Sequence, residues 1–151
     1  MSGNVTATAT FNTSAPPGGG RTTYGNGGNP WAISATGITW IEAENYDQGG
    51  DDVGWIVAGE WLEYTVNVAS AGTYTLHLRV ARQPSGNGAV KVLFGGVDKT
   101  GDITVPSTGG CQTWTMVAKT VTLSAGQQVM RIAMDASDFN IDWVEVRPGT
   151  N

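Results

Sequence analysis

A chain of 151 residues fits one domain with a real core, and its 14% charged residues fall well below the quarter usual in soluble domains. Its 8 basic residues form no cluster and are outweighed to a net charge of -5, which argues against nucleic acid as a partner. No apolar run approaches the roughly 20 residues of a membrane-spanning helix, and the single Cys111 excludes an internal disulfide. The surface implied is rich in Gly, Thr, Ser and Asn, as in extracellular β proteins. The opening Met1-Ser-Gly-Asn4 lacks the charged and apolar regions of a signal peptide, so the chain reads as a piece of a longer, secreted protein.

Residues 1–33 differ from the rest. Thr and Ala alternate through Val5–Phe11, which allows a short strand, before Pro16-Pro-Gly-Gly-Gly20 and Gly25-Asn-Gly-Gly-Asn-Pro30 break regular structure. This segment reads as a linker or as an N-terminal extension that adds a strand to the sheet. Strands and turns then alternate. Ile38–Glu44 is a first strand, ended by the Gly/Asp-rich break Gln48–Asp52. Trp61–Val68 has period 2, placing Leu62, Tyr64, Val66 and Val68 on one face, and Thr73–Val80 does the same with Tyr74, Leu76, Leu78 and Val80 inward. Further strands are expected at Ala89–Phe94, Asp102–Val105, Gln112–Leu123, Gln127–Met134 and Asn140–Val146. Many short strands, short turns and no helical periodicity predict an all-β antiparallel sandwich, a jelly roll.

Chemistry is sparse. Glycoside hydrolysis needs two carboxyls about 5 to 10 Å apart, and Glu60 with Asp142 or Glu42 is the available pairing. Strand alternation puts Glu42 and Glu44 on one face, and Asp142 with Val144, so carboxylates at a sandwich edge suit a calcium ion at least as well as acid–base work. His77 points outward with no nucleophile beside it, and Cys111 has no metal-spaced partner. Sugar binding is the better reading. Aromatic rings cover the apolar face of a pyranose, and amides such as Asn140 both donate and accept towards its hydroxyls. Trp55, between Gly54 and Ile56 and just after Asp51 and Asp52, is the best exposed platform. Trp61 is balanced between core and platform, whereas Trp114 and Trp143 are expected to be core or half-core.

The blocks Ile41-Glu-Ala-Glu-Asn-Tyr-Asp47, Val53-Gly-Trp-Ile-Val-Ala-Gly-Glu-Trp-Leu-Glu-Tyr64, Ala71-Gly-Thr-Tyr-Thr-Leu76, Thr108-Gly-Gly-Cys-Gln-Thr-Trp114, Leu123-Ser-Ala-Gly126 and Phe139-Asn-Ile-Asp-Trp-Val-Glu-Val146 occur in one order. Together they resemble a family 6 carbohydrate-binding module. The resemblance implies a lectin-like β-jelly roll at residues 34–148, with 1–33 as linker or extension and 149–151 as tail. It implies non-catalytic binding of a plant or algal polysaccharide of the β-glucan or xylan type. A linked glycoside hydrolase in the parent chain would then be targeted to that polysaccharide. It places the first stacking aromatic at Trp55, the amide at Asn140, and a second site at Trp61 beside Glu60. It also assigns structural calcium to Glu42, Glu44 and Asp142.

Two departures stand out. The family's second aromatic falls at Cys111, which offers little stacking area, with Trp31 the nearest candidate to compensate. Only Gln48–Asp52 separate the first two blocks, where family members carry a longer loop that supplies cleft wall and a calcium ligand. A jelly-roll scaffold, or an engineered variant with weakened sugar binding, is therefore the second reading.

Overall fold

The computed structural model describes residues 26, 28–49, 53–85 and 88–149, and the expected strand at Val5–Phe11 lies outside them. Eleven strands follow in chain order: β1 (Trp31–Ile33), β2 (Thr39–Glu42), β3 (Gln48–Gly49), β4 (Trp61–Val68), β5 (Gly72–Arg82), β6 (Ala89–Phe94), β7 (Val97–Asp98), β8 (Ile103–Thr104), β9 (Gly110–Leu123), β10 (Gly126–Met134) and β11 (Phe139–Pro148). They form two sheets. One is ordered β1-β4-β10-β6-β7, with β3 on β4 and β8 on β6; the other is ordered β2-β11-β5-β9. All pairings are antiparallel except β1 with β4, where Trp31 lies opposite Val66. The last three residues of the 1–33 segment thus join the first sheet.

The alternation read from the sequence is the packing pattern. Leu62, Tyr64, Val66 and Val68 of β4 meet Tyr74, Leu76, Leu78 and Val80 of β5 in one apolar cluster between the sheets, and all eight are 2% exposed or less. Each fully buried aliphatic side chain there contributes about 1.5–3 kcal/mol. The Phe94-Gly-Gly-Val97 hairpin needs both central residues at positive φ, which Gly95 (57°) and Gly96 (80°) supply without a Cβ penalty.

Two irregularities break strict period 2. In β11 the register against β5 shifts between Ile141 and Trp143, so Asp142 is an extra residue. Ile141 and Val144 are buried, while Asp142 and Trp143 are half-buried and lie outside the core cluster. The expectation that Asp142 shares a face with Val144 is therefore corrected by this bulge. In β9, Arg82 pairs with Gly110 and Val80 with Thr115, which leaves Cys111–Trp114 looped out of the ladder opposite Ala81.

The outer face of the second sheet is less open than alternation suggests. Glu145 faces outward on the central strand β11 yet is 1% exposed. Arg147 Nε donates to its carboxylate, and His77 Nδ1 lies 3.3 Å from it. His77 does point outward, but that neighbour keeps its side chain only 18% exposed.

Tyr64 ties the core to the β2–β3 connection, its hydroxyl donating to the Ala43 carbonyl at 2.7 Å in a buried setting. Burial, followed by Glu44, pushes the phenol well above its ordinary value. Tyr64→Phe should leave the Ala43 carbonyl unsatisfied and cost about 1–3 kcal/mol in urea unfolding. The folded phenol holds its proton after the unfolded one has lost it. Its stabilising contribution is therefore complete below about pH 10 and falls above it, by at most about 1.4 kcal/mol per pH unit. Urea midpoints between pH 8 and 11 should consequently fall less steeply in Tyr64→Phe than in the parent; equal slopes would contradict this account.

Candidate functional site

One end of the sandwich gathers the loop before β4, the turn after β5, the start of β9 and the start of β11. Trp55, Gln83, Ser85, Cys111, Asp138 and Asn140 line an open pocket there of about 120 Å³. Pockets that enclose a drug-sized ligand measure roughly 300–1,000 Å³, so this one suits a single ring and leaves the rest of a larger ligand outside.

The loop before β4 is pinned by an inward side chain and three cross-loop bonds. Ile56 is 1% exposed, while Trp55 beside it is 77% exposed. The Asp138 N–H donates to the Ile56 carbonyl at 2.9 Å, and the Ile141 N–H to the Val53 carbonyl at 2.9 Å. The Ala58 N–H donates to Ser137 Oγ at 2.9 Å. Trp55 stands at φ 59°, and Asp138 opposite at φ 67°. Left-handed backbone in non-glycine residues costs roughly 1–3 kcal/mol and persists where surrounding contacts over-determine it.

Asn140 supplies the decisive contact. Its Oδ1 accepts the Trp55 N–H at 3.1 Å, and its Nδ2 donates to the Cys111 carbonyl at 2.8 Å. The amide thus ties both walls together and sets the ring's height over the pocket. A primary amide has two N–H groups and two lone pairs, so one of each remains for a ligand hydroxyl. Gly54 belongs to the same contact, because a Cβ there would meet Asn140 Oδ1 at 3.4 Å. On the far wall, Gln83 Nε2 donates to the Cys111 sulfur at 3.1 Å.

Trp55, Asn140 and Cys111 are therefore brought together, as expected. Gln83, Ser85 and Asp138 join them without having been singled out. Only Asp138 carried a signal, as a short polar residue able to take positive φ just before a strand. The other expected site residues lie elsewhere. Glu60 folds its carboxylate back to accept the Val57 N–H at 2.9 Å. Trp61 starts β4 on the outer side of the first sheet, with the Arg131 guanidinium 4.6 Å from its ring centre, and Arg131 is in turn paired with Glu63 at 2.6 Å. One face of that indole is thereby covered, while its N–H has no partner among the described residues. Trp31 packs on the core from β1 and does not line the pocket, so it cannot replace the aromatic missing at Cys111.

As placed, Glu42, Glu44 and Asp142, the carboxylates expected to hold calcium, do not gather at one point among the described residues. Glu42 and Glu44 are exposed, and Asp142 is taken by the Arg79 guanidinium. Among the described residues no three acidic, His or Cys side chains converge on one point. A hard cation wants six or more oxygens, and a guanidinium bound to one of the ligands opposes it.

The model of the family 6 carbohydrate-binding modules matches residues 32–148. The clotting factor G alpha subunit of Tachypleus tridentatus is 32% identical over 99 residues, which are 65% of this chain and 15% of that protein. The C-terminal family 6 module of a marine laminarinase from Zobellia galactanivorans superposes with a TM-score of 0.66 at 31% identity, covering 74% of this chain and 99% of that one. The family 6 module of a Cellvibrio mixtus lichenase, solved with cellotriose, gives 0.64 at 35% identity, covering 75% and 98%. The pocket-bearing β-sandwich described above, with its blocks in order, belongs to carbohydrate-binding module family 6.

Proposed function

We propose that this module binds a neutral plant or algal polysaccharide, of the β-glucan or xylan type, at the pocket under Trp55. In its parent protein it would hold a linked, secreted glycoside hydrolase on that substrate. Trp55 carries the reading: a large ring, 77% exposed, fixed by backbone and amide contacts beside polar groups that still have hydrogen-bonding capacity. An indole with no ligand is costly to hold in water and in left-handed backbone, and stacking on a sugar gives both features a purpose. The laminarinase origin of one similar module and the cellotriose bound to another favour β-linked glucose among the neutral sugars.

Non-catalytic binding fits the same pocket. Among the described residues its lining holds one carboxylate, Asp138, whereas glycoside hydrolysis ordinarily uses two. Glu60, the acid considered for such a pair, is spent on the Val57 N–H. The second reading, a scaffold with weakened sugar binding, draws on Cys111, which leaves Trp55 as the only ring in the lining among the described residues.

Affinity electrophoresis against laminarin, mixed-linkage β-glucan and xylan tests these readings. Trp55→Ala should weaken retardation at least about tenfold in affinity, while Trp61→Ala, whose ring is capped by Arg131, should leave it within about twofold. Loss in Trp61→Ala alone would move the site to the outer face of the first sheet. No retardation of the parent by any glycan would favour the scaffold.

Restoring a ring on the opposite wall should help. Cys111→Tyr is expected to raise affinity by about 3- to 10-fold, the scale of one stacking contact, as read by titration calorimetry with cello-oligosaccharides; unchanged affinity would mean that Cys111 does not face the bound sugar.

Calcium should not stabilise the module. Millimolar calcium and chelator should give the same thermal midpoint, because a ligand bound only by the folded state raises it. A rise of several degrees with calcium would mean that Asp142 leaves Arg79 to bind the ion.

A further inference from the structure

The outer face of the second sheet carries an aromatic and apolar array that the pocket does not use. Antiparallel registers place Trp143, Arg79 and Met116 side by side on β11, β5 and β9. Trp40 of β2 packs against Trp143 with ring centres 4.7 Å apart and planes tilted by 45°. On the other side, the Arg79 guanidinium lies 5.1 Å from the ring centre of Trp114, which the looped-out segment of β9 carries. Trp40 is 51% exposed and Met116 50%. Three strand spacings of about 4.8 Å make the array roughly 14 Å wide.

Two features select its occupant. The one cation in the array is matched by Asp142, so the face has little net charge with which to recruit a charged partner. The array is also joined to the pocket along two strands. β11 carries Asn140 in the pocket and Trp143 on the face, three residues or roughly 10 Å apart. β9 likewise joins Cys111 to Trp114. We infer that a neutral polysaccharide seated under Trp55 continues over this edge onto the outer face of the second sheet, stacking on Trp143 and Trp40. The inference rests on the reading of the pocket as a sugar site. A pocket sized for one ring leaves the rest of the chain without contacts, and this face supplies them.

Titration calorimetry with the disaccharide and hexasaccharide of the β-1,3- and β-1,4-glucan series tests it, each variant first being shown to melt like the parent. The hexasaccharide should bind the parent about 10-fold or more tighter than the disaccharide. Trp40→Ala and Trp143→Ala should each remove about 3- to 10-fold of that gain, one stacking contact apiece, and leave disaccharide affinity unchanged. Trp40→Ala, at a half-exposed ring outside the core, stands in should Trp143→Ala fail to fold. A hexasaccharide advantage that is absent in the parent, or that survives both variants, overturns the inference. If disaccharide binding is still lost in Trp55→Ala, the pocket reading then stands alone. If Trp55→Ala changes nothing while Trp40→Ala weakens hexasaccharide binding, the pocket reading fails and the outer face remains a sugar site in its own right. Self-association that disappears in Trp40→Ala, with sugar affinity unchanged, would assign the face to protein contact and overturn the inference.

Discussion

A single inserted residue on a central strand organises much of what this module presents to solvent. Asp142 is one residue too many for the ladder between β11 and β5, and the phase of every side chain beyond it changes. Ile141 and Val144 both reach the core, and the two residues between them are both turned away from it. Asn140, before the bulge, is left at the pocket; Trp143, after it, lies against Trp40. Because β11 pairs on both sides, with β2 and β5, neither neighbour can slip to absorb the change. A regular strand would turn Trp143 inward with Ile141; the bulge instead leaves Asp142 and Trp143 together outside the core.

The pocket shows the same economy. Asn140 is both a wall tie and a ligand-facing group, and it can be both because an amide has four hydrogen-bonding positions and the protein occupies two. Holding Trp55 in place before a ligand arrives removes the ordering cost that a mobile aromatic would incur on binding. Under the proposed sugar reading, that preorganisation offsets some of what is lost with one ring among the described lining residues.

The architecture was legible from period 2 and the spacing of the turns, and β4 and β5 bury the residues that alternation assigned inward. Glycine-preceded Trp55 and strand-start Asn140 were legible as well, from local signatures, whereas Cys111 entered only through the family resemblance. Gln83 and Ser85 were not legible. They reach the pocket through the turn between the two sheets, a long-range placement that no local pattern encodes. The partners of the carboxylates were not legible for a related reason. Alternation predicts which side of a strand an acid is on, but not that Arg79 occupies Asp142 or that Glu60 closes its own turn. The bulge at Asp142 was invisible because nothing in Phe139–Val146 departs from a strand-forming composition.

Cys111 stands where the family resemblance implies a ring, and so looked like a deficiency. It is also the chain's sole thiol, it is partly exposed, and it sits in the wall of the proposed sugar pocket. Any thiol-directed reagent therefore has one address on this molecule, at the place where occupancy matters most. A fluorophore or spin label attached there would report on the pocket without mutagenesis, and the position can accept groups outside the genetic repertoire, boronates that capture vicinal diols among them.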